Sequence, residues 1–210
     1  MKNIKRSNKM KTLIIVDAQN DFMPGGALEI PEGDRIVPVI NKIIPKFELV
    51  VATQDWHPAE HKSFAVNHPN RKEFEIIDLH GVEQKLWPPH CVQGTPGADF
   101  HKELKLNPVE AIFRSAMDIE VDSYSGFYDN AHLKSTGLAG FLREKGADDL
   151  YFCGLAADIC VYYTIKDALK EGFKATLIED ATAPLIQEDY EKARKDILAR
   201  GGKIITSKEL

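Results

Sequence analysis

Hydrophobic positions along this chain fall into short unbroken runs separated by stretches with helical spacing. Residues 12–17 (TLIIVD) and 49–55 (LVVATQD) are apolar without alternation, rich in β-branched side chains, and each ends on an aspartate. That pattern predicts strands buried on both faces of a parallel sheet. Residues 110–114 (EAIFR), 149–154 (DLYFCG), 173–179 and the late KIIT continue the series. Between them, residues 34–46 place Ile36, Val37, Ile40, Ile43 and Ile44 at helical spacing. Further helices are predicted over 132–145, 158–171 and 187–200, each with glycine just past its end. Strands alternating with helices predict an α/β fold of three layers, whose working groups gather at the C-terminal ends of the strands. Residues 56–108, rich in His, Pro and Gly, show little periodicity and read as a long functional loop.

Length and charge narrow the picture. The 210 residues suit one domain over 11–210, preceded by a basic leader over 1–10 with Met10 just before the first apolar run. A net charge of -5, with acidic and basic residues well mixed, argues against nucleic acid or an anionic membrane as partner. No apolar run approaches the roughly 20 residues of a membrane span. Three cysteines, Cys91, Cys153 and Cys160, give no disulfide framework, so a reducing, cytoplasmic setting is expected. Association with further copies of the chain is left open.

Two groups of residues suggest chemistry. Cys160, in GLAADICV, stands where a strand gives way to a helix. A helix N-terminus stabilises a thiolate, and its N–H groups could hold an oxyanion. A buried core cysteine is the bland alternative, and Cys153 inside its strand fits that better. Asp17 is a candidate proton acceptor, although a strand-end aspartate is more often a cap. Asp55 and His57 (DWH) with His90 (WPPHC) form a second set, two imidazoles and a carboxylate. Such a set suits one divalent ion, zinc, iron(II) or manganese, with positions left for water or substrate. His61, His68, His80 and His101 read as surface or loop residues.

Taken in order, VDAQNDFMPGGAL, ATQDWHP, WPPHCVQGTPGA, DSYSGFYDN and GLAADICV resemble the motifs of nicotinamidase/pyrazinamidase enzymes among the isochorismatase-like cysteine hydrolases. The resemblance runs from about Lys11 to the C-terminus. It implies a six-stranded parallel sheet and a small carboxamide substrate, nicotinamide or pyrazinamide, cleaved through a thioester. Under it Cys160 is the nucleophile and Asp17 takes its proton. Asp55, His57 and His90 hold the metal that orients the substrate's ring nitrogen. Phe22 and Trp87 sandwich the ring, with Leu28 and Tyr124 beside it. A cis peptide is implied at Leu155–Ala156, with the amides of Ala156 and Cys160 forming the oxyanion hole.

One position departs from the family pattern. The catalytic lysine expected before DSYSGF is replaced by Ser115, in FRSAMDIEVDSYSGF, with Arg114 one residue earlier. A lysine ammonium would stabilise the thiolate; a serine hydroxyl carries no charge. An engineered substitution, a natural variant of reduced or altered activity, and a displaced charge at Arg114 are all compatible with the sequence. The last needs a bulge, because neighbouring strand residues face opposite ways. Two other readings stand beside amidohydrolase: a relative acting on N-carbamoyl or vinyl-ether substrates, and a silent metal- and pyridine-binding protein.

Overall fold

A computed structural model describes residues 10–210, so the expected leader over 1–10 lies, Met10 apart, outside the described residues. Six strands form one parallel sheet in the order β5-β2-β1-β6-β7-β8. They are β1 (Lys11–Val16), β2 (Leu49–Asp55), β5 (Ala111–Ser115), β6 (Asp149–Leu155), β7 (Lys174–Ala183) and β8 (Lys203–Ile205). The central strands are buried on both faces, as their unbroken apolar runs require. Alternate residues serve the two faces. Leu13, Ile15, Val50 and Ala52 pack with Ile36, Val37, Ile40 and Ile43 of α1 (Ile36–Ile43). Ile14, Val16, Leu49 and Val51 pack with α2 (Leu138–Lys145), α3 (Cys160–Lys170) and α4 (Gln187–Ala199). Each fully buried Leu or Ile of this kind contributes about 1.5–3 kcal/mol. No helix among the described residues is long and apolar enough to cross a membrane.

Three expectations shift. Helix α2 starts at Leu138, not near residue 132. The Asp129 carboxylate accepts the N–H groups of Leu133 (2.9 Å) and Lys134 (2.7 Å), holding that stretch in a turn. Strand β7 runs on to Ala183, four residues beyond the expected run, because Thr182 and Ala183 still pair with the end of β6 after a register shift. The long loop hides an antiparallel hairpin, β3 (Ile76–Leu79) and β4 (Val82–Lys85).

The chain crosses from β5 at one edge back to β6 beside β1, so the connections on the two sides of β1 run in opposite senses. Ligands bind at such a reversal, beyond the carboxyl ends of the strands. Gly154 lets the two strands come close there. A Cβ on it would lie 1.9 Å from the Val16 carbonyl oxygen, and its φ of +115° belongs to glycine.

Candidate active site

Asp17 follows β1 in a left-handed conformation (φ 46°) that aspartate tolerates better than most residues. Its buried carboxylate accepts a 2.6 Å hydrogen bond from the Thr53 hydroxyl of β2. Across the reversal, Cys160 opens α3, and its thiol lies close enough to the Asp17 carboxyl for each to shift the other's protonation. The two residues that had to meet do so. Burial, then the neighbouring Asp55 carboxylate, push the Asp17 carboxyl well above the ordinary range. Burial, followed by Asp17 and Asp55, holds the Cys160 thiol up as well. Both shifts favour the protonated forms of the pair.

Beside it stand Asp55, His57 and His90, all buried, with donor atoms within 4.8 Å of one another. The Gln19 side chain grips Asp55 twice: its oxygen accepts the Asp55 N–H (2.8 Å) and its amide donates to the Asp55 carbonyl (2.7 Å). His57 meets the Asp122 carboxylate through Nε2 at 3.2 Å, and His90 Nδ1 lies 2.8 Å from the Pro88 carbonyl. A carbonyl only accepts, so His90 Nδ1 carries its hydrogen and Nε2 offers a lone pair. The same logic leaves a lone pair on His57 Nδ1 when the ring is neutral. Both lone-pair nitrogens face Asp55, at 3.2 Å (His57 Nδ1 to Oδ1) and 3.3 Å (His90 Nε2 to Oδ2). Asp55 Oδ1 and His57 Nδ1 are nevertheless buried without a hydrogen-bond partner. Orphaned acceptors that converge in this way, each braced from behind, fit a divalent metal ion. Burial alone would lower the His57 pKa, but Asp55 and Asp122 outweigh it and raise it to about 10. That proton marks where positive charge is wanted, and a bound cation would replace it.

His61 corrects the surface reading: it is fully buried. The Ser63 N–H donates to its Nδ1 (3.0 Å), and burial lowers its pKa, so the neutral ring carries its hydrogen on Nε2. Although His61, His57 and Asp122 cluster closely, this tautomer leaves Nε2 no lone pair to offer. The His61 ring instead meets His57 at 85°, with centroids 4.6 Å apart, and braces it.

One pocket is lined by Phe22, Leu28, Trp87 and Tyr124 together with Asp55, His57, His90, Ala156 and Cys160. The Leu155–Ala156 bond is cis. Ser115 is not among the lining residues. It is buried at the end of β5 in register with Asp55, its carbonyl accepting the Trp56 N–H at 3.2 Å. Arg114 faces outward, its guanidinium 3.9 Å from the Trp56 ring centre and its Nε bonded to Gln54 (3.1 Å), so it does not replace the missing charge. Among the described residues, no Lys or Arg lines the pocket. Sequence reasoning missed Gln19, Asp122 and Gln84. Asp122 opens the DSYSGF stretch and Gln19 lies within VDAQNDFMPGGAL, so both carried a signal; Gln84, alone on a short exposed hairpin, left none.

The isochorismatase domain model matches residues 11–209. The nicotinamidase of Acinetobacter baylyi is 41% identical over 208 residues, covering 99% of this chain and 97% of that protein. A nicotinamidase/pyrazinamidase structure from Acinetobacter baumannii superposes with a TM-score of 0.93 at 42% identity, covering 97% of this chain and 99% of the other. The pyrazinamidase of Pyrococcus horikoshii, solved in complex with zinc, gives 0.77 at 41% identity, with 94% and 99% covered. With a match spanning nearly every described residue, and the pocket seated where the sheet's connections reverse, this chain belongs to the isochorismatase family of hydrolases.

Proposed function

We propose that the chain hydrolyses nicotinamide to nicotinate and ammonia, and pyrazinamide likewise, with Cys160 as nucleophile. The Cys160 thiol set against the buried Asp17 carboxyl, at a pocket that also holds three converging metal donors, carries this reading. Asp17 takes the thiol proton as sulfur attacks the carboxamide carbon. The amides of Ala156 and Cys160 donate to the oxyanion. Asp17 then returns the proton to the departing nitrogen, which leaves as ammonia. Water, deprotonated by Asp17, cleaves the thioester and frees the acid and the thiol.

Phe22 and Trp87 clamp the pyridine ring, and Leu28 and Tyr124 bound it. Asp55, His57 and His90 would hold the metal, which supplies a point of attachment for the ring nitrogen and so orients the substrate. Zinc, iron(II) and manganese all suit the donor set, and the zinc complex of the Pyrococcus relative favours zinc. A small carboxamide and the absence of any stapling disulfide suit a cytoplasmic enzyme.

A second reading rests on Ser115: a family member that binds the ring but turns over slowly, because no Lys among the described residues lines the pocket that holds the thiol. Ammonia release from nicotinamide with a divalent metal, measured for the native chain and for Ser115→Lys, separates the two. Robust release from the native chain supports the full enzyme, release only from Ser115→Lys supports the impaired one, and release from neither ends the amidase reading.

A further inference from the structure

The small hairpin is largely solvent-facing, yet Gln84 on β4 is only 1% exposed. A buried amide is tolerated only when its hydrogen bonds are made. The Gln84 amide nitrogen donates toward the Lys85 carbonyl (2.7 Å), Asp122 Oδ2 (3.0 Å) and the Tyr124 hydroxyl (3.1 Å). The last two lead to different parts of the site. Asp122 turns its other oxygen to His57 Nε2 at 3.2 Å. The Tyr124 oxygen also accepts from the Trp87 indole N–H at 3.3 Å. One hydrogen-bond chain therefore runs from His57 through Asp122, Gln84 and Tyr124 to Trp87. Each end belongs to the pocket, while the middle belongs to a hairpin outside the main sheet.

We propose that Gln84 is a positioning residue that sets the aromatic wall, Tyr124 and Trp87, relative to the metal-ligating face of His57. The hairpin thereby couples the grip on the cation to the grip on the ring. This rests on the function proposed above for what fills the pocket. The hydrogen-bond chain stands without it, and the two are tested by separate measurements.

The test uses cobalt(II) as metal probe, followed by its visible absorption and by chelator competition, and nicotinate as ring probe, followed by titration calorimetry. Gln84→Met keeps the buried volume and removes both donor arms. Cobalt affinity is expected to fall by about 10-fold, the low end of the loss seen for direct partners of a metal ligand, because Gln84 acts on His57 through Asp122. Nicotinate affinity is expected to fall about 3–10-fold, the scale of one lost hydrogen bond. Tyr124→Phe cuts only the aromatic arm, so it should weaken nicotinate comparably and leave cobalt affinity unchanged. Adding it to Gln84→Met should cost less than the product of the two separate effects, since the link from Gln84 to Tyr124 is already broken and only the Trp87 bond remains to lose. If Gln84→Met does not fold, Gln84→Asn, one methylene too short to reach both partners, carries the same expectations. Unchanged cobalt affinity in the Gln84 variant, with only a lower melting temperature, would reduce Gln84 to a hairpin-stabilising residue and overturn the proposal. Independent, multiplying effects of the two substitutions on nicotinate would do so too. A native chain that ignores nicotinate would sink the proposed function, while the cobalt comparison would still decide the role of Gln84.

Discussion

The two halves of the pocket are built by opposite strategies. On the metal side every donor is braced: Gln19 holds Asp55, Asp122 holds His57, and the Pro88 carbonyl holds His90. On the nucleophile side a thiol and a carboxyl share a buried space, no Lys or Arg among the described residues lines the pocket beside them, and both are held toward their protonated forms. Hydrogen bonding there is spare, a single 2.6 Å bond from Thr53 and the contact between the pair itself. Orientation is thus supplied by hydrogen bonds on one side. Ionisation, on the other, depends on charge that no Lys or Arg among the described residues lining the pocket provides. Ser115 makes the contrast sharp: β5 and β6 are separated by two strands, roughly 14 Å at the usual spacing, and a serine side chain spans little of that.

Four substitutions break or sharpen this contrast, and the largest effect belongs to Cys160→Ala. Ammonia release should fall by roughly 10⁴-fold or more, while metal content stays that of the native protein; lost metal binding would show the two halves to be less separate than their bonding suggests. Asp17→Asn should lower kcat by about 10²–10⁴-fold. The same change should raise the melting temperature of the metal-free protein at pH 8. The folded-state pKa of Asp17 is raised, so its contribution to stability is complete below the unfolded carboxyl range and drains away as pH climbs through the folded value. A neutral amide escapes that loss, and a lower melting temperature for Asn at pH 8 would contradict the assigned sign. Ser115→Lys should raise kcat/KM, by on the order of 10², and shift the pH profile of Cys160 alkylation by iodoacetamide downward. An unmoved alkylation profile would show that the new ammonium does not reach the thiol. Arg114→Ala is expected to leave kcat within about threefold and to cost under about 1 kcal/mol in a denaturant melt, because its guanidinium stacks outward on Trp56.

Much of this arrangement was legible in the chain. The uninterrupted runs ending at Asp17 and Asp55 could only be strands buried on both faces, and their ends had to meet at one edge of the sheet. Cys160 was readable for the same reason, standing where a strand hands over to a helix. Residues that work through others were not. Gln84 sits in a hairpin whose strands, at four residues each, are too short and too exposed to print a period. His61 takes its burial from His57 and Phe64, loop neighbours whose packing no local pattern records. The early start drawn for α2 has a related cause: residues 132–137 are held out of the helix by Asp129 side-chain bonds and by Gly137 in a left-handed conformation (φ 91°), local contacts that a spacing pattern does not record.

The place of β6 beside β1 has a consequence for synthesis on the ribosome. The proposed metal donors are complete once residue 90 has emerged, but the sulfur arrives seventy positions later, at the start of the helix that follows the strand filling the second flank of β1. A nascent chain therefore passes through a stage that owns ligands for a cation and has no means of cutting an amide. Catalytic competence comes only when the later wing of the sheet closes on the earlier one, so turnover reports on the finished molecule and not on its first half.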